Sequence, residues 1–240
     1  MNIMIIGASS GLGRAFMDGL GDTGDQLFGV ARRVPDASTN SPLSSAPKQH
    51  WIAADLAQPQ AAAQIAASSP DVLDVLIYNL GIWEDTAFSD DYDFLAQSDL
   101  ALKHLVDVNL TGALLVLRHL LPHLLRSTQA RVILTGSTSG LRQSGRPEVA
   151  FGATKFALNG LADALREGYR DQNLAVTCLQ LGYLNTTDTL QVPLAQAIAR
   201  DDGQTIPVHD VVALVRSLLS LSSASFVREL TLPAIKDTRF

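Results

Sequence analysis

The chain has 240 residues, 47% of them hydrophobic and 18% charged, with a formal net charge of -6; this allows one large α/β domain or two small ones, with apolar mass for a sizeable core. The acidic balance excludes a global attraction to nucleic acid or anionic membrane, although a local basic cluster can still grip a phosphate. One cysteine, Cys178, excludes an intrachain disulfide, fits a reducing, cytoplasmic setting and reads as a small buried hydrophobe.

In chain order, short apolar runs alternate with longer helical patterns. Residues 2–6 read as a strand, too short before Gly7 for the roughly 7–15 apolar residues of a signal peptide. A helix follows over 12–20 and a strand over 26–31. The stretch 33–48 holds Pro35, Pro42 and Pro47 and reads as a loop. Then come a strand at 49–53, an Ala-rich helix at 58–67 and a strand at 72–78. A long helical stretch spans 98–125. Arg118, His119, Pro122 and His123 interrupt its apolar part, so it reads as a buried helix and not a membrane span. His119 and His123 have the spacing of metal ligands, but no acidic third ligand is nearby and no metal is expected. Next are a strand at 131–136, a helix at 148–171, a strand at 174–181, a helix at 209–221 and a strand at 227–232. This alternation predicts one α/β domain over 1–240, doubly wound, with a parallel sheet of about seven strands and helices on both faces.

The first strand–helix junction carries glycines at 7, 11 and 13, in Gly7-Ala8-Ser9-Ser10-Gly11-Leu12-Gly13. Glycine permits a tight turn with positive φ and lets a pyrophosphate approach the backbone, where the helix N-terminus attracts it. The position is that of a Rossmann-type dinucleotide site. Gly7, Ser9, Ser10, Gly11, Leu12 and Gly13 are the expected contacts.

The G-x-x-x-G-x-G spacing resembles the short-chain dehydrogenase/reductase (SDR) family, with Ile6 in place of the usual Thr. Later landmarks carry the resemblance over nearly the whole chain. Asp55, followed by Leu56, matches the acidic residue beside the adenine ring. Asn79-Leu80-Gly81 resembles the N-N-A-G motif, with Tyr78 replacing the first Asn and Leu80 the Ala; Asn79 and Gly81 are expected at the cofactor. Asn109 matches the helical Asn of the active site.

The second strand ends Val30-Ala31-Arg32-Arg33. Many NAD-binding relatives end it with an Asp that accepts from the ribose 2′-hydroxyl. Ala31 removes that carboxylate, and a guanidinium offers a planar fork of donors to a 2′-phosphate. Arg32 and Arg33 therefore favour NADP(H) over NAD(H).

The resemblance implies a site of Asn, Ser, Tyr and Lys. Ser137, with Ser139 as the alternative, would hold the substrate oxygen. Lys155 would hold the nicotinamide ribose and lower the Tyr pKa. The Tyr is missing: Phe151 stands one helical turn before Lys155 in Phe151-Gly152-Ala153-Thr154-Lys155. Phe keeps the shape and loses the proton donor. Three explanations stand open: a carbonyl reductase or alcohol dehydrogenase disabled at one position, a non-catalytic NADP(H)-binding sensor or partner subunit, or an enzyme whose acid is Tyr183.

Leu181-Gly182-Tyr183-Leu184-Asn185-Thr186 resembles the family's P-G-x-x-x-T turn, which places Gly182, Leu184 and Thr186 at the nicotinamide. Residues 187–206 are expected to form a lid with a helix near 190–200. Leu190, Val192, Leu194 and Ile198 would then either face a small carbonyl or alcohol substrate, with Trp83, Phe88 and Tyr183 as further walls, or only pack the lid onto the body. The long helices suit a homodimer or homotetramer by analogy with the family.

Overall fold

Strands whose side chains are apolar on both sides form only where both faces of a sheet are covered, and the central strands here read that way. In the computed structural model, which describes residues 1–35 and 47–237, β1 (Asn2–Ile6), β4 (Val75–Tyr78) and β5 (Arg131–Thr135) are almost wholly buried. With β2 (Gln26–Ala31), β3 (Lys48–Ala53), β6 (Ala175–Leu181) and β9 (Glu229–Leu232) they build one parallel sheet. Its order is β3-β2-β1-β4-β5-β6-β9.

Helices cover both faces. On one side, α1 (Gly11–Gly19) and α7 (Val208–Leu219) pack through Phe16, Met17, Val211 and Val215 onto Ile3, Ile5, Ile77 and Ile133. On the other, α2 (Ala61–Ala67), α4 (Gly112–Leu124) and α5 (Val149–Gly168) pack through Ile65, Val116, Leu120, Leu158 and Ala162 onto Met4, Leu76 and Val132. Each such fully buried aliphatic side chain contributes about 1.5–3 kcal/mol of transfer free energy.

The expected long helix over 98–125 runs from Asp99 to Leu124 with one π turn in it: α3 (Asp99–Val106), the turn at Asp107–Thr111, and α4. The cause is tertiary. Tyr78, fully buried at the end of β4, donates its hydroxyl to the Val108 carbonyl at 2.9 Å, inside the π turn. Gly112 makes room, since a Cβ there would lie 3.0 Å from the Tyr78 oxygen. By length and composition the whole stretch Asp99–Leu124 could cross a membrane. However, Ala113, Val116, Leu117, Leu120, Leu121 and Leu124 lie buried in the sheet-facing core.

A small second sheet was not foreseen: β7 (Leu184–Asn185) pairs with β8 (Ile206–Pro207). It closes the base of the 187–206 segment, whose helix α6 is shorter than expected (Leu194–Arg200). Most of the 33–48 loop, residues 36–46, lies outside the described residues.

The chain runs outward from β1 through β2 to β3, then returns to the other side of β1 for β4. A crevice therefore opens at the carboxyl ends of β1 and β4, the place where open α/β sheets bind ligands.

Candidate active site and dinucleotide cleft

The two loops that flank this crevice come from Gly7 and from Asn79–Gly81. Gly7 has φ +82, and a Cβ on it would meet the Leu80 backbone at 3.3 Å. The amides of Gly7 and Ala8 both donate to the Val30 carbonyl at 3.0 Å, which ties the turn to the end of β2. Gly13 allows the closest approach: a Cβ there would sit 1.9 Å from the Gly7 carbonyl oxygen. Ser10 precedes α1 in an extended conformation and makes no side-chain cap. The first amides of α1 and the exposed Ser9 and Ser10 hydroxyls thus face outward at the positive end of a helix.

A cavity of about 580 Å³ runs along this edge. Gly7, Ser9, Ser10, Arg32, Arg33, Asp55, Leu56 and Gly81 line it. Ala31 is buried and Arg32 and Arg33 are exposed on its rim. Asp55 Oδ1 accepts from the Ala57 amide at 3.2 Å, which fixes the turn beside the cavity. His104, not singled out in the sequence for this place, also lines it. Glycines without Cβ, open helix-terminal amides and rim guanidinia form a donor set suited to a dinucleotide phosphate chain.

On the other side of the crevice the expected catalytic positions converge. Lys155 is buried, and its Nζ donates to the Thr135 carbonyl at 2.8 Å. A Cβ on Gly81 would lie 3.0 Å from that Nζ and 3.8 Å from Asn109 Oδ1. Asn79 Oδ1 accepts from the Thr135 hydroxyl at 3.1 Å. Asn109 is almost fully buried, and both ends of its amide are occupied. Oδ1 accepts from Ile82 N at 2.8 Å, while Nδ2 donates to the Ile82 carbonyl at 2.7 Å and to Thr154 Oγ1 at 3.1 Å. Thr154 in turn donates to the Phe151 carbonyl at 2.9 Å. The π turn aims Asn109 at this cluster.

Ser137, half-buried, accepts from the Ser139 amide through its hydroxyl at 3.1 Å, which leaves that hydroxyl's proton for another acceptor. Its own amide donates to Gln180 Oε1 at 3.1 Å. The following turn packs on α5 so closely that a Cβ on Gly140 would lie 2.8 Å from the Lys155 carbonyl carbon. Ser139, the alternative, is buried within that turn.

Phe151 is 7% exposed, and its ring centroid lies 5.6 Å from Lys155 Nζ. Edge-to-face contacts join it to Phe88 (5.2 Å) and Trp83 (6.5 Å), and Phe88 in turn meets Tyr183 at 5.7 Å. The Tyr183 hydroxyl accepts from Arg146 Nη1 at 3.0 Å. Arg146 is held in turn by Asp237 at 2.8 and 3.1 Å, with both side chains only 3% exposed. Tyr183 is thereby fixed as an aromatic wall with its oxygen turned to a buried ion pair. Leu190 packs against the body of the fold. Its Cδ1 would meet a Cβ on Gly19 at 2.5 Å, so it packs onto α1 and α7. Leu194 and Ile198 are largely exposed. Gly182 donates its amide to the Leu232 carbonyl at 2.9 Å, Leu184 lies in β7, and the Thr186 side chain stands over Gly11, whose Cβ would meet it at 3.1 Å.

Three comparisons bear on this arrangement. A family model described as short chain dehydrogenase matches residues 1–196. The chain belongs to the short-chain dehydrogenase/reductase family. Its members are nicotinamide-dependent oxidoreductases acting on small molecules. One relative is the NADPH-dependent pterin aldehyde reductase of Arabidopsis thaliana. It is 30% identical over 196 residues, covering 77% of this chain and 75% of the relative. Another is the rhamnolipids biosynthesis 3-oxoacyl-[acyl-carrier-protein] reductase of Pseudomonas aeruginosa, 26% identical over 235 residues, 92% of this chain and 90% of the relative. The fold matches the Pseudomonas aeruginosa RhlG/NADP active-site complex with a TM-score of 0.78 at 24% identity, covering 97% of this chain and 94% of that one. It also matches a serine dehydrogenase from Escherichia coli with a TM-score of 0.77 at 18% identity, covering 99% and 100%.

Several site residues were not read from the sequence. Glu84 accepts from the amides of Ala150 (2.7 Å) and Phe151 (3.1 Å), so a distant loop caps α5. Glu148 accepts from the Phe88 amide at 3.0 Å. A buried Glu close before a helix is the only sequence signal, and it does not name its partner.

Burial lowers the Lys155 pKa from 10.5 to about 8. Between those values the unfolded chain binds more protons than the folded one, so this residue's contribution to stability rises with pH. Below about pH 8 the full cost of burying the ammonium is present. Comparing urea unfolding of the protein with that of Lys155→Met at pH 7 and pH 10 isolates this effect. The difference should shift by on the order of 2 kcal/mol in favour of the lysine form at the higher pH. A pH-independent difference would exclude the buried ammonium.

Proposed function

We propose that this chain binds NADP(H) in preference to NAD(H) and serves hydride transfer between the nicotinamide and a small carbonyl or alcohol substrate, with carbonyl turnover impaired by Phe151. The observation that carries this is the convergence of Lys155, Asn109, Gly81 and Thr135 beside Phe151, with Gly81 also lining the cleft.

When bound, the cofactor supplies a hydride. The chain's own residues do the rest. The α1 amides, Ser9, Ser10 and Arg32 would hold the phosphates, while Asp55 and Leu56 would flank the adenine. Asn79, Gly81, Lys155, Gly182, Leu184 and Thr186 would hold the nicotinamide riboside. Ser137 would hold the substrate oxygen by donating its free proton. Phe151 delivers no proton; the Tyr183 hydroxyl accepts from Arg146 and keeps its own proton, so Tyr183 stays open as the alternative donor.

Ala31 and the exposed Arg32 and Arg33 on the cavity rim support the NADP(H) preference. So does the name of the Arabidopsis relative. Titrating Arg32→Glu with NADPH and NADH by calorimetry tests it. NADPH should bind at least about tenfold more weakly, as loss of a charge-assisted phosphate contact implies, and NADH should change little. Equal losses for both would remove Arg32 from the 2′-phosphate.

The chain would work as one unit in the cytoplasm, with 187–206 as a lid over the substrate. Exposed apolar residues on α3, α4 and α5, among them Val106, Leu114 and Phe156, support assembly into a homodimer or homotetramer. A second reading, a non-catalytic NADP(H) sensor or partner subunit, is favoured by Phe151 alone.

A further inference from the structure

A second cavity, of about 730 Å³, lies at the amino ends of β5, β6 and β9, on the edge of the sheet opposite the dinucleotide cleft. β5 separates the two places: Arg131 begins it, and Thr135, whose carbonyl holds Lys155, ends it about 13 Å further on. Four arginines and two acids line this basal cavity: Arg131, Arg166, Arg170 and Arg228 against Asp163 and Glu167. Asp163 Oδ1 accepts from both Arg166 (2.5 Å) and Arg228 (2.8 Å), and Glu167 accepts from Arg170 (2.5 Å). Arg131 is 8% exposed and has no carboxylate partner among the described residues; it donates to the carbonyls of Leu218, Leu221 and Ser222 at the end of α7. Carbonyls satisfy its N–H groups but carry no net charge. The lining therefore holds two positive charges in excess, four against two, in a chain of net charge -6. The carboxyl ends of α5 and α7 reach the same edge and each counts for about half a negative charge, so an excess of about one positive charge survives them. Arg170 and Arg228 are largely exposed, and among the described residues each spends one of its five N–H donors on an acid. The other donors are open to a ligand.

We propose that this basal cavity binds a small organic phosphate monoester, at a site separate from the dinucleotide cleft. A phosphate monoester carries a charge of about -1.5 to -2 at pH 7 and three strong acceptor oxygens, which answers the excess charge of the lining. Guanidinium groups present planar forks of donors that match those oxygens. The loop after α7 supplies hydroxyls from Ser222, Ser223 and Ser225. The Ser222 hydroxyl accepts from the Ala224 amide at 3.4 Å and keeps its own proton to donate. Phe226, 38% exposed, lines the same cavity and offers an apolar surface to the organic part of the ester. The volume lies in the ordinary range for small-molecule pockets, and the lining residues share nothing with those of the dinucleotide cleft.

The probes are phenyl phosphate, a dianion, and phenyl sulfate, a monoanion of nearly the same shape. Calorimetric titration of the full chain should show phenyl phosphate binding at least about fivefold more tightly than phenyl sulfate. Replacing two exposed arginines together, Arg170→Gln with Arg228→Gln, brings the lining to formal neutrality. That chain should bind phenyl phosphate at least about tenfold more weakly. Its melting temperature without ligand should stay close to that of the unaltered protein, because exposed ion pairs add little to stability. Arg170→Gln alone, whose pair with Glu167 is largely exposed, should weaken binding at least about threefold. Arg32→Glu, on the rim of the dinucleotide cleft, should leave the phenyl phosphate affinity unchanged. No binding at millimolar concentrations, equal affinities for the two probes, or undiminished affinity in the arginine variants would overturn the proposal. So would a loss confined to Arg32→Glu, which would move the phosphate into the cleft. None of these readings requires NADPH, so the basal site and the oxidoreductase reading stand or fall separately.

Discussion

Replacing Phe151 by tyrosine is expected to raise carbonyl reduction by about 10²–10⁴-fold, the usual worth of a positioned general acid. The substitution adds one oxygen to a ring already in place. Thr154 and Glu84 hold the Phe151 backbone through its carbonyl and amide, so the helix has no reason to move. Lys155 Nζ stands 5.6 Å from the ring centroid, close enough for its charge to favour the phenolate and so make the new hydroxyl a better acid. Ser137 and Asn109 need no change. The measurement is NADPH consumption against a panel of aldehydes and ketones, with NADPH affinity determined separately. Affinity should change little, because the ring fills the same volume. A gain below tenfold on every compound, with NADPH bound normally, would favour the sensor or partner reading.

The second large effect concerns the cleft. Gly13→Ala should destabilise the fold by roughly 3 kcal/mol or more, in the range for overpacking a rigid site, and weaken NADPH binding on the order of a hundredfold. The new Cβ would fall 1.9 Å from the Gly7 carbonyl oxygen and 2.8 Å from its carbon, both backbone atoms. No rotamer relieves that overlap, so α1 must shift away from the β1 exit and carry its N-terminal amides with it. Gly160→Ala is the matched control. It lies in α5 with nothing within 4 Å of its would-be Cβ, and should stabilise by about 0.5–1 kcal/mol through helix propensity. Thermal unfolding and NADPH titration of both variants decide the matter. Equal behaviour would mean that the turn tolerates a side chain and is not the phosphate clasp.

Much of the site was legible because it is local. Glycines at 7, 11 and 13 lie within one turn of chain, and Phe151 and Lys155 lie one helical turn apart. The departures at Tyr78 and Phe151 were visible as letters, but their consequences were not. Tyr78 reaches thirty residues along the chain to the Val108 carbonyl, inside the π turn of the long helix. For Leu190 the sequence left pocket wall and lid packing both open, and the structure sets its side chain against Gly19.

Strand and helix alternation, the glycine turn, the Ala31-Arg32 step and the missing hydroxyl were determined by the sequence alone. Each is set by periodicity or steric limits among residues a few positions apart. Which acid caps α5, which carbonyl Lys155 holds and which donor meets the Tyr183 hydroxyl were decided only by the tertiary structure. Those choices join segments some twenty to ninety residues apart. A buried charged or hydroxyl group is fixed by whichever partner the packed fold brings within about 3 Å, and no local pattern encodes that partner.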